Sequence, residues 1–308
     1  MLEPSRINTR GLDALIITLR QLYTFGYDCV PTQQLSASDS VIFDVAVKDI
    51  GWDRTEDYKA KGMIYQFFSS ATTIEFPNYT YDQLLGMAPG LIAEHPMFQF
   101  YDRNWYSKAK AEDTCWQLEQ GPPKFPLGVI PWSGKKSLRE TIMESFLTQG
   151  DNGSYHHFFS RMPLFLRVRY TAESGSPRSF REMREIDLDS PMRIQQADEL
   201  WRPSKSKAGY NICAVIRMAV DSLNDDVRTY WNDGHEVAPA EIGHFTNTDE
   251  EAAKDPRWTV QSTGVFELFY RLRPRSDETE IHEDEKSEID NAAPEYEDRN
   301  WVREQREL

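Results

Sequence analysis

Cysteine is scarce in this chain, with only Cys29, Cys115 and Cys213 present. Three residues at wide spacing build no disulfide framework, and there is no Cys-x-x-Cys pair to start a zinc site. No apolar run approaches the ~18 residues needed to cross a bilayer. The first residues, MLEPSRINTRG, hold neither an apolar signal core nor an Arg/Ser-rich amphipathic pattern. Gly-x-Gly-x-x-Gly, a Walker-type lysine loop and Gly-x-Ser-x-Gly are all missing, so nucleotide binding and serine-hydrolase chemistry lack support. Positive charge is also short. A formal net charge of −15 argues against a nucleic-acid partner and against an anionic membrane surface. These absences predict a soluble protein of a reducing compartment, cytoplasmic or nuclear, with no cofactor and no metal. The sequons at Asn78 and Asn152 then count as chance.

What is present fits a globular protein. The 308 residues are 39% hydrophobic, enough for a sizeable core. The negative charge is concentrated at the end. Ser276 to Leu308 holds thirteen Asp and Glu against four Lys and Arg, over half of the total excess. Its first part, Ser276–Pro294, is poor in apolar residues and predicts disorder, with a short helix possible over Asp298–Leu308.

Periodicity predicts a helix over Leu12–Tyr23, where Leu12, Leu15, Ile16, Leu19, Leu22 and Tyr23 form one stripe and Asn8 or Thr9 could cap it. A polar stretch, Pro31–Ser40, and a short apolar run, Val41–Val47, follow. A second helix is predicted over Tyr58–Ser70 with Met63, Phe67 and Phe68 as anchors. Gly86–Gly134 is rich in Pro, Gly and aromatics and predicts loops and short strands. A third helix is expected at Ser137–Leu147, with Leu138, Ile142 and Phe146 on one face. Strands then dominate. Leu164–Tyr170 alternates as a half-buried strand, Tyr210–Val220 reads as a buried central strand, and Val265–Leu272 places Phe266, Leu268, Tyr270 and Leu272 on one side.

Candidate chemistry is thin. A cysteine nucleophile needs a nearby base and a third group that orients the base. Cys213 falls inside the buried-strand pattern and reads as core. Cys29 lies in a polar turn and Cys115 in an aromatic loop. The histidines are His95, His156, His157, His235, His244 and His282. His156 and His157 are adjacent and on a strand would face opposite ways, so they do not converge on a metal. His235, in WNDGHEVAP, has Asp233 and Glu236 close by in sequence, but the Asp-Gly before it reads as an exposed turn.

Four stretches, in order, resemble ubiquitin-specific proteases, which are papain-like cysteine proteases with a thumb, palm and fingers. YNICAVIRMAVDSLNDDVRTYWNDGHEV is similar to the strand, catalytic-histidine loop and turn of that family. Ala214-Val215 match the strand, Tyr230 a tyrosine after the histidine, and Asn232, Asp233 and Val237 the turn. STGVFELFYRL is similar to the closing strand. MPLFLRVRY is similar to the family's Leu-Pro-x-x-Leu-x-x-x-Leu-x-Arg-Phe, and Gly134–Asn152 resembles the helical stretch leading to it. DIGWDRTEDYKAKGMIYQFF, with Gly51-Trp52, resembles the branch that includes the herpesvirus-associated protease.

The resemblance implies an α+β, papain-like fold that is N-terminally incomplete. It implies a helical thumb-like segment at 1–85, a β-rich fingers and palm-like segment at 86–275, and an acidic tail at 276–308. It also implies that the chemistry is lost. The family's cysteine box is not found, and the helix Leu12–Tyr23 looks like the part that follows it. The catalytic histidine falls at Asp226 and the third catalytic residue at Asn232, beside Asp233. The Gln-Glu helix reads Lys59-Ala60-Lys61-Gly62-Met63-Ile64-Tyr65, and the fingers' zinc-type cysteines are absent. A carboxylic acid with an ordinary pKa of roughly 3.9 cannot serve as general base for a thiol at neutral pH. The expectation is a domain without activity that binds ubiquitin, a ubiquitin-like protein or another protein partner, with Tyr230, Trp231 and Asp226 lining the groove for a ubiquitin tail. The alternatives are an active deubiquitinase using a displaced cysteine and His235, and a scaffold without a ubiquitin link that works through the acidic tail.

Overall fold

The computed structural model describes residues 9–26, 35–47, 54–69, 79–98, 104–108, 117–120, 128–145, 147–149, 155–158, 163–173, 178–189, 193–195, 201–203, 207–219, 225–231, 236–237 and 260–273. The helices are α1 (Arg10–Gly26), α2 (Ala37–Val47), α3 (Arg54–Ser69), α4 (Tyr81–Met87), α5 (Leu138–Ser145) and α6 (Phe180–Met183), with 3-10 turns at Pro89–Leu91 and Pro96–Phe98. The strands are β1 (Asn104–Lys108), β2 (Gln117–Gln120), β3 (Ile130–Trp132), β4 (Leu147–Gln149), β5 (Tyr155–Phe158), β6 (Phe165–Ala172), β7 (Glu185–Asp189), β8 (Arg193–Gln195), β9 (Trp201–Pro203), β10 (Lys207–Arg217), β11 (Asp226–Thr229) and β12 (Gly264–Leu272). The class is α+β, as the sequence pattern implies.

Helix α1 buries the whole predicted stripe, from Leu12 to Tyr23. It starts two residues before the stripe, and the Thr9 carbonyl accepts its first bond. The Asp13 amide donates to the Thr9 carbonyl at 2.7 Å, and Thr9 Oγ1 donates to Asp13 Oδ2 at 2.8 Å. Helix α2 replaces the end of the expected polar stretch. Ser36 and Asp39 form a reciprocal cap, with the Asp39 amide donating to Ser36 Oγ at 3.1 Å and the Ser36 amide to Asp39 Oδ2 at 3.2 Å. Helix α4 was not expected at all. It is fixed by the same device, Thr80 with Gln83.

Helix α3 corrects two of the three expected anchors. Met63 is 65% and Phe67 40% exposed, whereas Ile64, Tyr65 and Phe68 are buried. The 3.6-residue period puts 64, 65 and 68 on one face and turns 63 and 67 to the edge. In α5, Leu138 and Ile142 are buried as expected; the Phe146 side chain lies outside the described residues.

The large sheet runs β11-β10-β12-β6-β3, with β7 pairing β10 as well. Its pairings are antiparallel except β3 with β6. A second sheet runs β2-β1-β5-β4, and β8 pairs with β9. One core joins α1, α2, α3 and α4 to Phe165, Ala214, Ile216 and Phe269. The other joins α5 and β3 to Leu166, Val168, Tyr170, Phe266, Leu268 and Tyr270. A register shift between Ile212 and Ala214 turns Cys213 and Ala214 together into the helical core.

Strand β6 is therefore buried on both sides, not half-buried, because the helices cover its second face. That face carries charge. Arg167 is 2% exposed and pairs with Glu267 of β12, which is 0% exposed. Arg169 Nη2 donates to Glu267 at 2.8 Å and to Asp82 at 2.7 Å, and the Tyr81 hydroxyl donates to Glu267 at 2.9 Å. Burial alone would raise the pKa of Glu267, but the two arginines outweigh burial and hold it below the usual carboxylate range. This cluster fastens the start of α4 to the sheet.

Candidate functional site

The position that the family pattern assigns to a histidine, Asp226, is the first residue of β11, an outer strand of the large sheet. It stands opposite Arg217 in register, and Arg217 Nη2 donates to Asp226 Oδ2. Helix α1 lies along the same strand. Its first residue, Arg10, brings Nη1 to 3.9 Å from Asp226 Oδ1. Eleven residues on, Gln21 Nε2 donates to the Tyr230 carbonyl at 2.8 Å and locks the other end of the contact. Asp226 is thus a carboxylate facing two guanidinium groups, which stay charged at any physiological pH.

The neighbouring Asp225 is buried and structural. Its oxygens accept from the Tyr81 amide at 2.8 Å and the Ala219 amide at 2.7 Å. Burial raises its pKa, while these two amides pull the other way. Tyr81 therefore holds both Asp225 and Glu267, so α4, β11 and β12 share one anchor. Gly11 lets α1 reach this anchor. A Cβ there would lie 2.3 Å from the Tyr79 carbonyl oxygen and 2.8 Å from the Tyr81 nitrogen.

Of the three groove candidates, Asp226 is 30% exposed at its side chain and Trp231 is 44% exposed. Tyr230 is 5% exposed, and its ring stacks on Phe180 with centroids 4.8 Å apart. Its side chain forms the wall behind the site. Beyond it, Arg228 pairs with Glu236 at 3.5 Å. Asn232, Asp233 and His235 lie outside the described residues.

Cys213 is a core thiol. It is 2% exposed and donates to the Phe269 carbonyl at 3.4 Å, and burial pushes its pKa up to about 12. A thiol so held is no nucleophile. Cys29, Cys115, His244 and His282 lie outside the described residues. His156 and His157 are consecutive residues of β5. At the Gln-Glu helix position, Lys61 of α3 bridges to Asp57 on its own helix and to Asp13 of α1 at 2.7 Å. Burial alone would lower its pKa, but the two carboxylates outweigh it and raise it. That position now joins two helices. Among the described residues no three His, Cys, Asp or Glu side chains gather as a metal site. No described helix is long and apolar enough to cross a membrane.

Sequence reasoning missed Arg10, Gly11, Tyr81, Asp225 and Arg217. The Thr80-x-x-Gln83 capping pattern was a usable signal for α4 and hence for Tyr81. The others depend on contacts between distant segments, and no local pattern announces them.

No protein-family model matches the sequence, and no curated protein matches it. Solved structures similar to it include the SAGA Ubp8/Sgf11/Sus1/Sgf73 DUB module, at a TM-score of 0.45 and 8% identity, covering 87% of this chain and 67% of that one. The apo Pan2 pseudoubiquitin hydrolase–RNA exonuclease module of Saccharomyces cerevisiae matches at a TM-score of 0.38 and 10% identity, covering 86% of this chain and 53% of that one. The same module with AACCAA RNA matches at 0.37 and 10%, covering 89% and 56%. The chain thus spans little more than half of the Pan2 chains. None of these three is a herpesvirus-associated protease, and that finer placement has no support here; the Gly51-Trp52 segment lies outside the described residues.

Proposed function

We propose that this chain is a ubiquitin-specific-protease-like domain that lacks catalysis and serves as a protein-binding module for ubiquitin or a ubiquitin-like protein. The observation that carries the proposal is the pairing of Arg10 with Asp226. A papain-like protease needs a thiol and an imidazole facing each other across the site. The family pattern puts the imidazole at Asp226 and the thiol ahead of the helix Leu12–Tyr23. Here the residue that begins α1 and faces Asp226 is an arginine.

Arginine cannot give up its proton to attack a carbonyl, and a carboxylate cannot take the part of an imidazole as general base for a thiol at neutral pH. The order of the sequence motifs supports a kept scaffold, and the exposed Trp231, just past the end of β11, supports a kept surface. Cytosol or nucleus is the compartment that fits the free thiol of Cys213 and a ubiquitin partner.

Isothermal titration with ubiquitin tests the binding half. Saturable heat is expected, and no heat at high concentration leaves only a scaffold working through the acidic tail. A ubiquitin vinyl-sulfone probe tests the other half. An intact-mass shift by one ubiquitin would establish an active deubiquitinase instead.

A further inference from the structure

The start of α1, the start of α4 and β11 bring several carboxylates towards one end of the large sheet, and each has a close donor. Asp13 accepts from the Thr9 hydroxyl at 2.8 Å and pairs with Lys61 at 2.7 Å. Asp82 pairs with Arg169 at 2.7 Å. Asp225 accepts from the Tyr81 and Ala219 amides at 2.8 and 2.7 Å. Asp226 accepts from Arg217, its partner across the ladder, whose side chain is only 16% exposed. Arg10 reaches the same Asp226 carboxylate from α1, at 3.9 Å and with its own side chain 55% exposed. Two guanidinium groups from separate elements thus converge on a single carboxylate.

The two contacts to Asp226 are unequal. Arg217 is close and mostly buried, whereas the Arg10 contact is long and open to solvent, and such a pair holds weakly. A second anion can therefore draw Arg10 to itself while Asp226 keeps Arg217. Arg10 is also the first residue of a 17-residue helix, whose positive end favours an anion further. A guanidinium matches a planar carboxylate with two parallel N–H donors, which a neutral amide carbonyl cannot match in charge. Where a protease of this plan presents a thiol to the carbonyl at the end of its partner's tail, this chain presents that guanidinium. A tail with a free terminus brings a carboxylate to it. A tail joined to another protein brings a neutral amide.

We propose that Arg10 receives the free C-terminal carboxylate of the bound partner, so that the domain favours unconjugated ubiquitin over ubiquitin joined through its C-terminus. This inference rests on the ubiquitin-binding reading above. The incoming carboxylate accepts from Arg10, and Asp226, retained by Arg217, stays on its strand. Conjugated or extended ubiquitin still binds, more weakly, because only the contact of the terminal charge is lost.

The test is isothermal titration of the full chain with two forms of ubiquitin that differ only at the last atom group, one ending in the carboxylate and one in the carboxamide. The carboxylate form should bind about five- to tenfold tighter, the effect of one charge-assisted contact at a half-exposed site. In Arg10→Gln the ratio of the two dissociation constants should fall to about one. The comparison in the unmutated chain needs no variant to fold. Equal binding of the two forms, or tighter binding of the carboxamide, would overturn the inference and leave ubiquitin binding standing. An unchanged ratio in Arg10→Gln would overturn the assignment to Arg10. No heat from either form would remove the ubiquitin-binding reading and this inference with it.

Discussion

Replacing Gly11 by alanine probes the junction that brings Arg10 to Asp226. Helix propensity alone favours the change, though in the first turn of α1 by less than the about 1 kcal/mol that alanine gains over glycine in a helix interior. Packing opposes it. The new Cβ would lie 2.3 Å from the Tyr79 carbonyl oxygen, 2.8 Å from the Thr80 carbonyl carbon and 2.8 Å from the Tyr81 nitrogen, all backbone atoms. Relaxed contacts need about 3.5 Å, so the start of α4 has to retreat by roughly 1 Å. It is not free to do so, since Tyr81 is held by Asp225 and Glu267. Overpacking against a fixed neighbour costs about 1–3 kcal/mol or more, which outweighs the helix gain. The expected net loss is on the order of 1–2 kcal/mol. Gly62→Ala in α3 is the matched control, because no atom lies within 4 Å of its Cβ. It should gain about 0.5–1 kcal/mol. Urea unfolding followed by circular dichroism reads both, with midpoints moving in opposite directions. A Gly11→Ala midpoint at or above that of Gly62→Ala would refute the close approach of α1 to α4.

Glu267→Gln leaves Arg167 buried without its counter-charge, and a loss of about 3–5 kcal/mol is expected in thermal or urea unfolding. Arg167→Met with Glu267→Leu should recover part of this, because removing both charges removes the desolvation cost. Stability should fall as pH drops from about 6.5 towards 4. His95 has a folded pKa lowered to about 4, so the unfolded chain binds the extra proton in that window. The contribution reaches at most about 3 kcal/mol below pH 4, and His95→Phe should flatten that part of the urea-midpoint profile. Cys213 should resist a maleimide at pH 7.5 in the folded protein and react only on unfolding, because burial raises its thiol pKa to about 12. Rapid native labelling at Cys213, located by peptide mapping, would contradict its place in the core.

Elements with a single strong period were legible before the structure. Helix α1 and strands β10 and β12 fall where the apolar pattern puts them, because each buries a face that the pattern displays. The misjudged elements have other causes. Helices α2 and α4 are started by short polar caps, Ser36 with Asp39 and Thr80 with Gln83, and a hydrophobic count passes over such caps. Met63 and Phe67 are apolar and exposed, which composition cannot distinguish from apolar and buried. Arg167 and Glu267 read as a solvent face and are buried, because the helices that cover them come from distant segments, with Tyr81 186 residues before Glu267. In the candidate site, Asp226 is the residue to which the order of motifs points, while Arg10, the group that faces it, comes from 216 residues away and carries no local signature.

The most direct measurement is native mass spectrometry of the full chain incubated with ubiquitin that carries a short C-terminal peptide extension. The account predicts a non-covalent complex of one chain with one intact ubiquitin–peptide, and no loss of the extension over hours. Release of the peptide would contradict the claim that Arg10 and Asp226 stand where the chemistry would be, and the absence of any complex would contradict the claim that the surface still binds ubiquitin.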